Sequence, residues 1–206
     1  MRIALIGTGR VGATLSGHLV GVGHEVILAN SRPPQALSSW LRVLGPLTSA
    51  NTPKGAAEAA ELVIMATPWR ERSALPGPSS VAGKIVIDVM NAEPEDNLDE
   101  RPSSVWTAER LPGARIVKAF NTLHWEQLRD HVGRPERLAV PLCGDDLAAK
   151  AEVAMLIRQL GFDPVDTGGL VDGSRLQEPG GPLFRTNPTG ADIRKLLAPI
   201  AEVSAV

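Results

Sequence analysis

The stretch GTGRVG, Gly7 to Gly12, constrains this chain more than any other. It follows the apolar run Ile3 to Ile6 and leads into Val11, Leu15, Leu19 and Val22, which are spaced for one face of a helix. Strand, glycine turn and helix in that order open a dinucleotide-binding unit, whereas the same six residues elsewhere would be only a tight turn. Gly7 permits the turn, Gly9 lets the backbone approach a pyrophosphate, and Gly12 lets the helix lie close to the sheet. Unpaired amides at the start of the helix, around Thr8, Arg10 and Val11, then face the anion, aided by the helix dipole.

Further apolar runs of strand length recur at Val26 to Ala29, Leu62 to Ala66, Ile85 to Val89, Ile116 to Ala119 and Leu138 to Leu142, with a short one near Pro164 to Asp166. Helical spacing lies between them. Leu37, Trp40, Leu41 and Leu44 share one face, and Ala148 to Leu160 is bounded by Gly161. The alternation predicts an α/β fold of Rossmann type, doubly wound, with a mainly parallel sheet and a short C-terminal extension. A chain of 206 residues, 43% of them hydrophobic, suffices for one domain with a real core. Residues 1–169 are assigned to the nucleotide-binding fold, and 170–206 to a loop and short helix that complete a substrate cleft. Within that extension GGLVDGSRLQEPGGPLFRTNPTG reads as loop, followed by a helix from Ala191 to about Leu197. The acidic segment AEPEDNLDE reads as a solvated loop.

The second strand ends in Asn30, Ser31 and Arg32. In such a fold this position lies beside the adenosine ribose, where an acidic residue accepts from the 2′-hydroxyl of NAD and would repel a 2′-phosphate. Here the acid is missing and a guanidinium is present, so the sequence favours NADP(H). A charge-assisted bond from Arg32 contributes about 1.5–3 kcal/mol, enough for roughly tenfold discrimination. The competing reading is an ordinary surface arginine.

Composition removes several classes of chemistry. The chain has no Tyr, so a Tyr–Lys carbonyl reductase cannot be built from it. A net charge of −2 without a basic tract argues against nucleic acid. The four His show no metal-ligand spacing, so no metal is expected. The single Cys143, in LAVPLCGD, reads as a small core residue. No run of about 18 apolar residues occurs, and the first residues read as a strand entering a glycine turn, so no membrane partner and a cytoplasmic location are expected.

Three segments together, MRIALIGTGRVGATLSGHLVGVGHEVILANSR, ELVIMATPW and IVKAFNTL, resemble the NADP oxidoreductases dependent on the deazaflavin coenzyme F420, a group that also supplies the cytosolic domain of membrane metalloreductases. The resemblance runs through about Gly169. It implies hydride transfer between C4 of a nicotinamide and C5 of the deazaflavin as second substrate, with the rings stacked at the carboxyl edge of the sheet, and it implies a homodimer. Thr8, Ser31 and Arg32 match the family's 2′-phosphate positions. Ala66, Thr67 and Pro68 fall in its cofactor-side loop, and Asn121 would sit near the nicotinamide end. No catalytic side chain is expected, because direct transfer between two cofactors requires positioned rings and excluded water rather than an acid.

The sequence departs from the family in its Pro- and Gly-rich segment 177–190, which bears on the second substrate. An anionic deazaflavin tail calls for cations at the cleft mouth, for which Arg70, Arg72, Arg175 and Arg185 are candidates. AEPEDN would repel it if it lined the same mouth. Trp69 and Trp125 are read either as walls of the nicotinamide site or as packing residues. His124 is read as a loop histidine more than a substrate ligand. The alternatives are an NADPH-dependent reductase of a flavin, imine or small carbonyl, and a non-catalytic NADP(H)-binding redox sensor.

Overall fold

In a computed structural model, which describes residues 1–96, 98–99, 101–131 and 136–203, the strands form one eight-stranded sheet. They are β1 Arg2–Ile6, β2 Glu25–Ala29, β3 Thr48–Ala50, β4 Leu62–Met65, β5 Ile85–Asp88, β6 Arg115–Ala119, β7 Ala139–Cys143 and β8 Asp163–Asp166. The helices are α1 Arg10–Gly21, α2 Ser38–Leu44, α3 Pro53–Ala59, α4 Pro78–Val81, α5 Ser103–Arg110, α6 Trp125–Asp130, α7 Leu147–Gln159, α8 Leu170–Gln177 and α9 Gly190–Val203. Sheet order is β3-β2-β1-β4-β5-β6-β7-β8, parallel throughout except for the antiparallel pair β6 and β7. The fold is the Rossmann-type α/β architecture read from the sequence.

Strands β1, β4 and β5 are apolar almost without interruption because both faces are covered. Ile3, Leu5, Ile64 and Ile87 pack on one side with Leu15 and Leu19 of α1 and Val153 of α7. Ala4, Ile6, Val63 and Val86 pack on the other with Ala56 and Ala57 of α3. The chain leaves β1 for β2 on one side and reaches β4 on the other, so strand order reverses between β1 and β4. The crevice at their carboxyl ends is where such sheets bind ligands.

The structure corrects several expectations. Strand β3 has only three residues, none fully buried, and so carried no apolar run. The strand expected to end at Ala66 stops at Met65, and the one read from Leu138 begins at Ala139, with Leu138 bridged to Thr189 instead. Val22 caps α1 and is exposed, and Trp40 points outward, although Leu37 of the same predicted face is fully buried. The predicted loop after Gly168 contains the eight-residue helix α8, hidden by its own glycine: a Cβ on Gly173 would lie 2.2 Å from Cβ of Cys143, so close packing excludes any larger residue. Helix α9 runs to Val203, past the expected end near Leu197.

Candidate cofactor and acceptor site

The glycine turn is built for close approach. Gly7 has φ of 110°, and a Cβ there would lie 2.4 Å from the Ala66 carbonyl oxygen. A Cβ on Gly12 would fall 1.9 Å from the Gly7 carbonyl oxygen, so α1 is pressed onto its own entry strand. A Cβ on Gly9, by contrast, would meet nothing within 4 Å among the described residues. The first backbone bond into the helix runs from the Ala13 amide to Gly9 O at 2.8 Å, and among the described residues the amides of Thr8, Gly9, Arg10 and Val11 donate to no backbone carbonyl. No acidic residue sits in the first turn of α1 to neutralise them. An anion fits this cradle.

Two pockets meet at the turn. A smaller one, about 230 Å³, is lined by Gly7, Thr8, Gly9, Asn30, Ser31, Arg32, Pro53, Thr67, Pro68 and Glu71. Asn30 braces its wall, donating to Thr8 Oγ1 at 2.8 Å and accepting the Arg32 amide at 2.9 Å. A larger one, about 750 Å³, is lined by Gly9, Arg10, Val11, Ala66, Thr67, Pro68, Trp69, Arg70, Val89, Met90, Asn91, Glu93, Glu95 and Asp96. Gly9, Thr67 and Pro68 belong to both, so the two form a continuous trough across the carboxyl ends of β1, β2, β4 and β5. The structure thus gathers Gly7, Thr8, Gly9, Arg10, Val11, Asn30, Ser31, Arg32, Ala66, Thr67 and Pro68 around one trough, with Gly12 beneath it.

Asn121 does not itself line the trough among the described residues. It is buried behind the wall, donating to Asn91 Oδ1 at 2.9 Å and Gln177 O at 3.0 Å, while Asn91 Nδ2 returns a bond to Asn121 O at 3.0 Å. Asn91, which the sequence reading did not single out, is the member of the pair that lines the larger cavity. The residue before Asn121, Phe120, is buried and non-glycine with φ of 62°. Such a conformation costs about 1–3 kcal/mol and persists where its surroundings impose it.

Beneath the trough lies a polar network that the sequence reading also missed. Lys118, fully buried on β6, donates to Met90 O at 2.9 Å, Ser104 Oγ at 3.0 Å and Ser103 Oγ at 3.1 Å, and pairs with Glu178 at 3.2 Å. Glu178 also accepts from the Ser103 amide and hydroxyl. The neighbouring Asp88 accepts from Ser104 Oγ, Thr107 Oγ1 and the Met90 amide. Charged residues inside strands called apolar were the available signal.

The cationic mouth expected from Arg70, Arg72, Arg175 and Arg185 is reduced to Arg70. Arg72 lies 4.8 Å from the Trp69 ring centroid and 5.5 Å from that of Trp106, and Arg185 lies 5.0 Å from that of Phe184. The acidic segment is not merely solvated, since Glu93, Glu95 and Asp96 line the larger cavity; Asn97 and Glu100 lie outside the described residues. Trp69 walls this cavity, whereas Trp125 lines a third pocket with Trp40 and Arg129, which adjoins the trough at Thr8, Gly9 and Arg10. His124 precedes α6, with its amide bonded to Gln127 Oε1 and its ring 3.2 Å from Glu126. Burial raises the Cys143 thiol to about 11 despite a 3.5 Å contact with Ser174, so it is a protonated core group.

The family model for the coenzyme F420-dependent NADP oxidoreductases matches residues 2–92, the segment carrying the glycine turn, Arg32 and the Thr67–Pro68 loop. A candidate F420-dependent NADP-reductase from Arthrobacter sp. FB24 is 33% identical, with a TM-score of 0.69, over 82% of this chain and 85% of that one. The chain belongs to the F420-dependent NADP oxidoreductase family. A hypothetical protein from Sinorhizobium meliloti, SMa0349, is similar at 33% identity and a TM-score of 0.81, over 92% of this chain and 95% of that one. Metalloreductase STEAP3 of Rattus norvegicus is 29% identical over 85% of this chain but 36% of its own length. The chain thus spans about a third of the curated relatives it matches. Imine reductases from Myxococcus stipitatus, at 15% identity and a TM-score of 0.63, share the fold. No helix among the described residues is long and apolar enough to cross a membrane.

Proposed function

We propose that this member of the family is an NADP(H)-dependent oxidoreductase that exchanges a hydride between nicotinamide C4 and C5 of a deazaflavin. The observation that carries the proposal is the continuous trough: an anion cradle at the glycine turn, a small pocket with Arg32 on one side, and a 750 Å³ cavity on the other. When bound, the nicotinamide supplies the two-electron chemistry. The amides of Thr8 to Val11 would hold the pyrophosphate, and Arg32, Ser31 and Thr8 would hold the 2′-phosphate. Thr67, Pro68 and Asn91 border the larger cavity, which would hold the nicotinamide and a flat acceptor. Trp69 and Met90 keep water from it. The hydride carries both electrons and solvent supplies the proton, so no side-chain acid is required.

A second reading is favoured by Glu93, Glu95 and Asp96. These acids oppose an anionic deazaflavin tail and favour a flat acceptor without one, such as an uncharged flavin. By resemblance the functional unit is a homodimer, with an expected mass in light scattering of twice the 21.8 kDa chain.

The test is anaerobic NADPH oxidation with the deazaflavin coenzyme, flavin mononucleotide and riboflavin in parallel, with Arg32→Ala as control. Turnover with the deazaflavin, lowered at least tenfold in the variant at subsaturating NADPH, supports the first reading. Turnover with riboflavin alone supports the second. Tight NADPH binding without turnover on any ring moves the assignment to a redox sensor.

A further inference from the structure

The small pocket contains two opposite charges, and the reading above uses only Arg32. Glu71 lines the same 230 Å³ space. It lies half-buried in the short 3-10 turn Trp69–Ala74, with its amide bonded to Pro68 O at 2.8 Å. Among the described residues, neither its carboxylate nor the Arg32 guanidinium has a hydrogen-bond or ion-pair partner. The cations flanking Glu71 in sequence serve elsewhere. Arg70 faces the larger cavity, and Arg72 bonds to Trp69 O and stacks on two indoles.

We propose that Glu71 is a specificity-determining residue that admits NAD(H) beside NADP(H) and limits the preference for the phosphorylated cofactor. The proposal rests on the cofactor reading given above. An ionised carboxylate only accepts hydrogen bonds, so a ribose diol satisfies it and a phosphate dianion does not; a guanidinium only donates, with the opposite preference. Both groups bind their partners through charge-assisted bonds, about twice as strong as neutral ones. A pocket this small holds a ribose substituent within one Debye length of both side chains, so salt screens neither fully. Cofactor preference is therefore the difference between two opposed terms rather than the work of Arg32 alone.

The test is calorimetric titration of the full chain and of Glu71→Gln with NADPH, NADH, adenosine 2′,5′-bisphosphate and adenosine 5′-monophosphate. Gln keeps the shape and removes the charge. The expected result has opposite signs: NADPH and the bisphosphate bind about fivefold tighter or more, while NADH and the monophosphate bind about tenfold weaker. Loss of fold cannot produce opposite signs. An equal loss on all four would place Glu71 against the shared adenine and overturn the proposal, as would no change on any. Failure of the unmodified chain to bind any of the four would overturn the cofactor reading itself.

Discussion

Replacing Lys118 by Met tests whether the buried network supports the trough. The substitution keeps an unbranched chain of similar length and removes the charge. It deletes bonds to Met90 O, Ser103 Oγ and Ser104 Oγ, and the pair with Glu178. Removing one partner of a buried ion pair costs about 3–5 kcal/mol because the other charge is left uncompensated. The lower end applies, because Glu178 keeps two donors from Ser103 and its side chain is 17% exposed, which lets water relieve part of the loss. In a domain of this size about 3 kcal/mol lowers Tm by roughly 6–12 °C. Urea unfolding followed by the emission of the four tryptophans reads the change, provided the transition is two-state. Adding Glu178→Gln should recover part of the loss, since the double variant no longer strands a carboxylate. A cost below about 1 kcal/mol, or strict additivity of the two substitutions, would refute the claim that Lys118 and Glu178 act as a pair.

Two further perturbations separate binding from folding. Gly9→Val places a side chain in open space that the pyrophosphate would occupy, so it should abolish binding of NADPH and NADH while lowering stability by about 1 kcal/mol or less, a helix N-cap effect. Gly12→Ala should instead destabilise by about 1–3 kcal/mol or more, because its Cβ meets the Gly7 carbonyl. If Gly9→Val binds normally, the cradle assignment fails. Bonds from Arg115 hold Asp146, which caps α7, down to about 2. A carboxylate depressed in the folded state stabilises fully above its unfolded value near 4, and that contribution is lost as pH falls toward 2. Asp146→Asn keeps a capping side chain, so its stability deficit measured by urea at pH 7 should shrink as pH falls through that window; a constant deficit would contradict the assignment.

The parallel frame was legible because β1, β2, β4, β5 and β6 are buried on both faces and therefore read as mainly apolar runs, even with Asp88 in β5 and Lys118 in β6. Helix α8 was not, since a glycine required for packing against Cys143 resembles a glycine required for a turn. The half of the site built by consecutive residues was legible for the same reason: Gly7 to Gly12, Asn30 to Arg32 and Ala66 to Pro68 each follow a strand of known direction. The rest depends on what long-range folding brings together. Asn91 and Asn121 are 30 residues apart and pair only because β5 and β6 are neighbours. Nothing in AEPEDN indicated that Glu93, Glu95 and Asp96 would line the larger cavity, and Glu71 carried no local motif.

The measurement that tests the central claim most directly is the fate of a deuterium label. NADPH deuterated at C4 on the transferred face is oxidised anaerobically by the chain with the deazaflavin coenzyme, and the reduced product is analysed by mass spectrometry and NMR. The account predicts one deuterium at C5 of the reduced ring, retained in ordinary water. Reduced deazaflavin carrying solvent hydrogen at C5, or no reduction at all, would contradict direct transfer between two rings held in this trough.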